Sequence, residues 1–493
     1  MGRVQYGFVI DHSSCIGCHA CTVACKAEND VPVGSFRTAV KYTEVGTFPE
    51  IRRHFLVQRC NHCSDAPCVT ICPVNALEKR PDGIVDVDRD ACIGCRACMQ
   101  ACPYDAIYLN EDLGAVEKCH FCAHRIDRGL EPACVTVCPV GAIVTGDLHD
   151  PGSRVSLMIL DNETSVRRPE QGTGPNVHYV GADEISLHPG TASRPPTYLW
   201  SDRPPDKPEP WPDTLTTAPD ATVVLDQGHR VQWGWPIAVY LVTKGIAAGA
   251  AMLAPFVPWP DRAGFAALWA PEIIAMVFIM VTLVLLVEDL SRPLLFYRML
   301  TRPNFRSWLV KGGVLLGMFT AVIAAVMVAR LAGLDGAVDI GRVIGAVLGI
   351  GIAGYTALLF AQCKGRDLWE SSLLLPHLLA QAVMCGGAAL LACDPSCPAL
   401  PSITAVAILA HGALALAERY RTHPTDNARQ AAAFLGRIEV GPLKAWRDGL
   451  LLGVGLSLVV LVVLPVASII PVVVGLLLYE HAFVRAAQLP PLS

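Results

Sequence analysis

The pattern of apolar positions divides the chain into unlike parts. From residue 1 to about 150, apolar residues come in short stretches such as Gly83-Ile84-Val85 and Ala106-Ile107-Tyr108, which predict strands bordering ligand loops. Residues 151 to 182, where VSLMIL alternates with polar turns, read as a continuation of that folded part. Between Pro189 and Pro219, nine prolines in 31 residues are interleaved with Asp, Arg, Ser and Thr, which excludes a packed core and predicts an extended strap. After Trp233 and Trp235 eight apolar runs follow, each near the roughly 20 residues that cross hydrocarbon. They span about 236–257, 268–287, 312–331, 341–361, 372–392, 401–417, 448–465 and 467–486. Only the stretch from Pro465 to Pro471 separates the last two, and one long bent segment is the alternative there. The expected organisation is an α+β domain over 1–182, a linker over 183–232 and an all-α polytopic membrane bundle over 233–493.

The loops carry an orientation signal. Connections after the second, fourth and sixth runs hold thirteen Lys and Arg, among them Arg292, Arg366 and Arg419, whereas the odd connections hold three, Arg262, Arg330 and Arg342. The positive-inside rule then puts both termini and the N-terminal domain in the cytoplasm, in an inner membrane. Composition agrees: 52% hydrophobic and 17% charged residues exclude a single soluble domain, and a net charge of -5 gives no reason to expect nucleic acid. MGRVQYGFVIDHSSC runs directly into the first cysteine, so no secretory leader or twin-arginine signal is expected.

Sixteen of the 20 cysteines lie between Cys15 and Cys138 in four groups: Cys15, Cys18, Cys21, Cys25; Cys60, Cys63, Cys68, Cys72; Cys92, Cys95, Cys98, Cys102; and Cys119, Cys122, Cys134, Cys138. Every group begins C-x2-C and ends C-x3-C, and Pro73, Pro103 and Pro139 follow three of the last cysteines. This is the bacterial ferredoxin run, in which three close thiolates hold one cubane and the fourth reaches a neighbouring one. Four groups imply four 4Fe-4S clusters. Structural zinc fits less well, because its C-x2-C pairs need neither a third thiol three residues on nor a following proline. Cysteines two apart cannot form disulfides without strain.

On these residues, the first 180 positions resemble the four-cluster ferredoxin subunit of molybdopterin oxidoreductases, the DmsB, NrfC and PsrB type, as does the stretch RRPEQGTGPNVHYVG at 167–181. The resemblance implies that groups pair first with fourth and second with third. The implied cluster sets are Cys15, Cys18, Cys21 with Cys138; Cys119, Cys122, Cys134 with Cys25; Cys60, Cys63, Cys68 with Cys102; and Cys92, Cys95, Cys98 with Cys72. All sixteen ligands are cysteine, so no 3Fe-4S centre is expected. The membrane part resembles the NrfD/PsrC polysulfide-reductase anchors, on Trp235-Pro236 with GIAAGAA at 245–251, LVEDLSRPLLFYRMLTRPNFRSWLVKG at 286–312, GYTALLF and DLWESSLLLPHL. It implies a haem-free, quinone-reactive bundle and a partner with a molybdenum or tungsten bis-pterin. The chain itself has no residue set for substrate chemistry, so it reads as a non-catalytic electron-transfer subunit.

A menaquinone or ubiquinone site needs an apolar slot, hydrogen-bonding groups and a proton path. Lys244, Glu288, Asp289, His377 and Gln381 are the candidates, all in the half of the bundle nearer the N-terminal domain, with Glu418 ending the sixth run. An ionised Lys at that depth costs about 2.5–3.5 kcal/mol on insertion scales, which argues for a partner, although it can also snorkel. Glu288 and Asp289 are equally readable as interfacial. His411 reads as a helix-packing residue, Glu272 as a proton-path or outer-interface residue, and Trp233, Trp235 and Trp369 as interface-belt aromatics. Cys393 and Cys397 flank the fifth connection, outside the cytoplasm by the charge count, where they can form a disulfide; Cys363 and Cys385 are small apolar residues. Two other functions stay open: an ion- or proton-translocating module, which a continuous chain of acids would favour, and an inert anchor passing electrons to a soluble acceptor.

Overall fold

The computed structural model describes residues 4–188, 190–194, 218–228, 231–255, 265–395 and 397–492. The central strand of the N-terminal domain is β1 (Tyr6–Asp11), where Phe8, Val9 and Ile10 are fully buried, as an unbroken apolar run in a two-sided strand should be. Two further strands, β2 (Thr38–Val45) and β3 (Arg52–Arg59), pair antiparallel over their whole length. Two short hairpins follow, β4 (Leu77–Lys79) with β5 (Val85–Val87) and β6 (Ile107–Asn110) with β7 (Ala115–Lys118). After them come β8 (Ile143–Asp147), β9 (Thr164–Ser165) and β10 (Val177–Val180), which complete a sheet of order β8-β1-β10-β9 with β1 and β10 parallel. The ligand loops occupy the space between this sheet, the hairpins and the membrane part.

The expected linker is partly sheet. The strands β11 (Ala192–Ser193) and β12 (Ala218–Leu225) extend β2 and β3 into a second four-stranded sheet, and Ala221 and Val223 form a small core with Ala192. The apolar run ATVVL at 221–225 supplies the face that the prolines before it lack; most of the proline-rich stretch, 195–217, lies outside the described residues.

Among the described residues, eight helices long and apolar enough to cross a membrane follow: Trp235–Leu253, Leu268–Glu288, Trp308–Leu331, Asp335–Ala361, Leu374–Cys393, Leu400–Tyr420, Ala445–Val463 and Pro465–Ala486. The last two are separate helices, divided at Leu464 and Pro465, and the seventh contains a π-helical turn over Leu451–Leu456. The first and fifth are the most enclosed, because Gly249 and Gly386 let their backbones touch: a Cβ on either would collide with the other helix. Helices two, three and four are joined by Glu272, which receives Arg330 at 3.3 Å and Arg342 at 2.7 Å.

The N-terminal domain sits on the face formed by the even-numbered, basic connections. Arg292 donates to the carbonyls of Arg89, Leu113 and Cys92, Asn304 to that of Cys72, and Ser307 to that of Ile71. The connection after helix four adds a buried seam in which Arg168 bonds both oxygens of Asp367 and Arg366 donates to Gln100 at 2.7 Å. Trp369 is fully buried and Trp233 nearly so, stacked at 5.6 Å. They are therefore not belt aromatics, because the docked domain covers the loop surface that would otherwise meet lipid. Trp235, 40% exposed, stacks on His481 at 4.0 Å.

Candidate functional site

The cysteines line spaces. Cys60, Cys63, Cys68 and Cys102 surround one cavity, and Cys72, Cys92, Cys95 and Cys98 surround a second. In each, three thiols come from one group and one from the other. The local chain explains the shape: Gly94 (φ 70°) and Arg96 (φ 60°) turn the loop through left-handed conformations, and the short helix Ala97–Ala101 carries Cys98 and leads to Cys102 and Pro103. Backbone N–H groups point inward, that of Ala76 to Cys72 Sγ at 3.2 Å and that of Gly94 to Cys92 Sγ at 3.4 Å, as anionic sulfurs require.

The first and fourth groups also interleave. Asn29 Nδ2 lies 3.7 Å from Cys25 Sγ and 3.8 Å from Cys122 Sγ. Cys119 and Cys25 interact electrostatically, as do Cys15 and Cys138, while Cys21 feels both Cys134 and Cys15.

Burial pushes these thiols away from the thiolate form, Cys95 up to about 12 and Cys25 to about 11, so anionic sulfur here demands strong positive charge. Among the described residues no three His, Cys, Asp or Glu side chains converge as ligands of a single ion. Four thiols around a space suit a polynuclear iron-sulfur group. The buried Arg59 adds to this fit: its Nη1 donates to Cys134 Sγ at 3.3 Å, and its Nε and Nη2 have no hydrogen-bond partner among the described residues.

The sets are ordered in space. The Cys72, Cys92, Cys95 and Cys98 cavity lies against the bundle, where Arg96 bonds Asp289 at 2.8 Å and Gly94 packs on Ser291. At the other end Cys18 is exposed and Cys15 and Cys138 are half-buried, beside exposed Ile16, Val23 and Val140.

Among the membrane candidates, Lys244, His377 and Gln381 are buried in the bundle interior, whereas Glu288 is exposed and Asp289 serves the docking ion pair. Lys244 donates to Thr356 and lies 5.1 Å from the rings of Tyr240 and Tyr355. His377 shares hydrogen bonds with Glu418 at 2.9 Å and with His411 at 2.8 Å, and Tyr479 donates to Glu418 at 2.8 Å. Gln381 donates to Glu480 at 2.7 Å. Sequence reasoning missed Glu480 and Tyr479; the acid-histidine pair Glu480-His481 within the last apolar run was the signal available. Cys393 is exposed and Cys397 is buried.

Comparison with known proteins agrees with this architecture. The family described as 4Fe-4S dicluster domain matches residues 51–148, and the family described as Polysulphide reductase, NrfD, matches 223–395. A tetrathionate reductase subunit of Salmonella typhimurium is 43% identical over 204 residues, 41% of this chain and 81% of that protein. A polysulfide reductase component of Wolinella succinogenes is 39% identical over 179 residues (36% and 94%), and protein NrfC of Escherichia coli K12 is 39% identical over 180 (36% and 81%).

Proposed function

Because this protein belongs to the iron-sulfur electron-transfer subunits of reductase complexes and carries an NrfD-type membrane anchor in the same polypeptide, we propose that it connects a catalytic subunit with a molybdenum or tungsten bis-pterin to the membrane quinone pool. The observation that carries the reading is the spatial order of the cysteine sets, from the exposed Cys18 end to the Cys72, Cys92, Cys95 and Cys98 cavity seated on the bundle. Four 4Fe-4S clusters, held as Cys15, Cys18, Cys21, Cys138; Cys25, Cys119, Cys122, Cys134; Cys60, Cys63, Cys68, Cys102; and Cys72, Cys92, Cys95, Cys98, supply one-electron carriers when bound. The partner docks at the exposed end.

Quinone chemistry couples two electrons to two protons, so the interior must hold protons near the slot. Lys244 Nζ donates to Thr356, and Glu418 accepts from Tyr479 and faces His377 Nδ1. Menaquinone and ubiquinone are both compatible with these groups. The basic loops support a cytoplasmic N-terminal domain and cytoplasmic termini in the inner membrane.

Turnover of the intact complex with menaquinol or ubiquinol tests the reading. A quinone analogue is expected to inhibit, and Lys244→Met to lower quinol turnover at least tenfold with iron content unchanged. Analogue-insensitive turnover would favour an inert anchor. The interior polar network also supports a second reading, an ion- or proton-translocating module, because Glu418, His377 and His411 run from the domain-side end of helix six towards its middle. Proteoliposomes that acidify or alkalinise their lumen beyond the quinone stoichiometry, and lose this with Glu480→Gln, would establish it.

A further inference from the structure

Arg59 ends β3 immediately before Cys60 and is 2% exposed. Its guanidinium lies 4.4 Å over the ring of Phe8, Nη1 donates to Cys134 Sγ, and the other two nitrogens have no hydrogen-bond partner among the described residues. Among the described residues no carboxylate pairs with it; the anionic groups acting on it are the thiols of Cys134, Cys119 and Cys21. A buried guanidinium without a counter-ion is strongly unfavourable, so the compensating negative charge has to come from the thiolate site itself.

The other cations near the cavities differ. Arg96 lines the Cys72, Cys92, Cys95 and Cys98 cavity but is neutralised by Asp289 at 2.8 Å. Lys118 lines the Cys60, Cys63, Cys68 and Cys102 cavity and donates to the carbonyls of Val85 and Cys119, at 2.8 Å for the latter, rather than to a ligand sulfur. Arg59 alone among these three combines an uncancelled charge with a hydrogen bond to a ligand sulfur, the two features that stabilise the more negative, reduced form of an iron-sulfur centre.

We propose that Arg59 is a positioning residue whose fixed charge raises the reduction potential of the centre held by Cys25, Cys119, Cys122 and Cys134 more than that of any other centre. The step is the uptake of one electron, in the assay from dithionite, with no bond formed or broken. The inference rests on the four-cluster assignment above. Protein lacking four clusters' worth of iron and sulfide defeats that assignment, whereas loaded protein with unmoved potentials defeats only the role of Arg59.

The test is an anaerobic EPR redox titration of the full-length protein. Arg59→Met and Arg59→Gln are expected to lower one midpoint by at least tenfold in the one-electron equilibrium, 59 mV, to lower that of the Cys15, Cys18, Cys21 and Cys138 centre by less, through Cys21, and to leave the other two in place, while Arg59→Lys stays near wild type. The signal shifted most should be the one altered by Cys122→Ser; if the largest shift falls on the one altered by Cys18→Ser, the assignment is overturned. Full iron content with no shift in the neutral variants overturns the proposal. Iron lost from that centre in both neutral variants but kept in Arg59→Lys supports the need for charge, and loss in all three overturns it.

Discussion

Replacing Arg168 by Met should loosen the seam between the two halves of the chain. Arg168 Nη2 donates to both oxygens of Asp367, at 3.0 and 3.2 Å, and the two side chains are only 7% and 5% exposed. Removing one partner of a buried pair costs about 3–5 kcal/mol, chiefly because the other charge is left uncompensated. Asp367 would keep Gln171 at 3.0 Å and Thr425 at 2.6 Å, which puts the expected loss near the lower end, about 3 kcal/mol. For a unit of this size about 2–4 °C is lost per kcal/mol, so thermal unfolding of the detergent-solubilised protein should begin roughly 6–12 °C lower. The double variant Arg168→Met, Asp367→Asn removes both charges and should recover most of that loss. A single variant within about 2 °C of wild type, or a double variant no better than the single, would refute the reasoning.

Burial of Lys41 drops its ammonium from 10.5 to about 7, with Asp226 opposing the shift. The unfolded chain then binds the extra proton between pH 7 and about 10.5, so stability rises with pH across that window; the full burial penalty is present below pH 7. Lys41→Met should therefore be more stable than wild type at pH 6, with the difference shrinking towards pH 10, as read from paired melting curves. Gly386→Val drives a side chain into Gly249 and Ala250 and should cost at least about 1–3 kcal/mol, seen as a lower melting temperature and loss of monodisperse protein on size-exclusion chromatography. Gly317→Ala, with nothing within 4 Å of the new Cβ, should be neutral or stabilising by up to about 1 kcal/mol in the same assays.

Much of the fold was legible because its signals are local. The cysteine spacings specify loops that wrap a multinuclear site, and apolar runs of membrane length specify helices, so both survive without knowledge of the rest of the molecule. The crossed partnership of the groups is not local: the spacing alone does not say whether Cys72 joins Cys60 or Cys92, and that expectation came from resemblance. β12 was submerged in the linker because proline-rich flanks hide a five-residue apolar run whose partner, β2, lies some 180 positions earlier. Glu480 was missed because one acid scarcely changes the mean hydropathy of a long span, and its meaning depends on Gln381 in another helix. Glu288 and Asp289 show the converse. Adjacent in sequence and alike in chemistry, they separate only when the docked domain brings Arg96 to one of them.

The central claim is an electron path from an exposed iron-sulfur end to the bundle. Anaerobic purification of the full-length protein, with iron and sulfide quantified and EPR spectra recorded before and after addition of a low-potential quinol such as menaquinol, tests it most directly. The account predicts four 4Fe-4S clusters per polypeptide and quinol-dependent reduction of cluster signals that a quinone analogue prevents. Zinc in place of iron, fewer than four clusters, or fully loaded clusters that exchange no electrons with any quinol or quinone would contradict it.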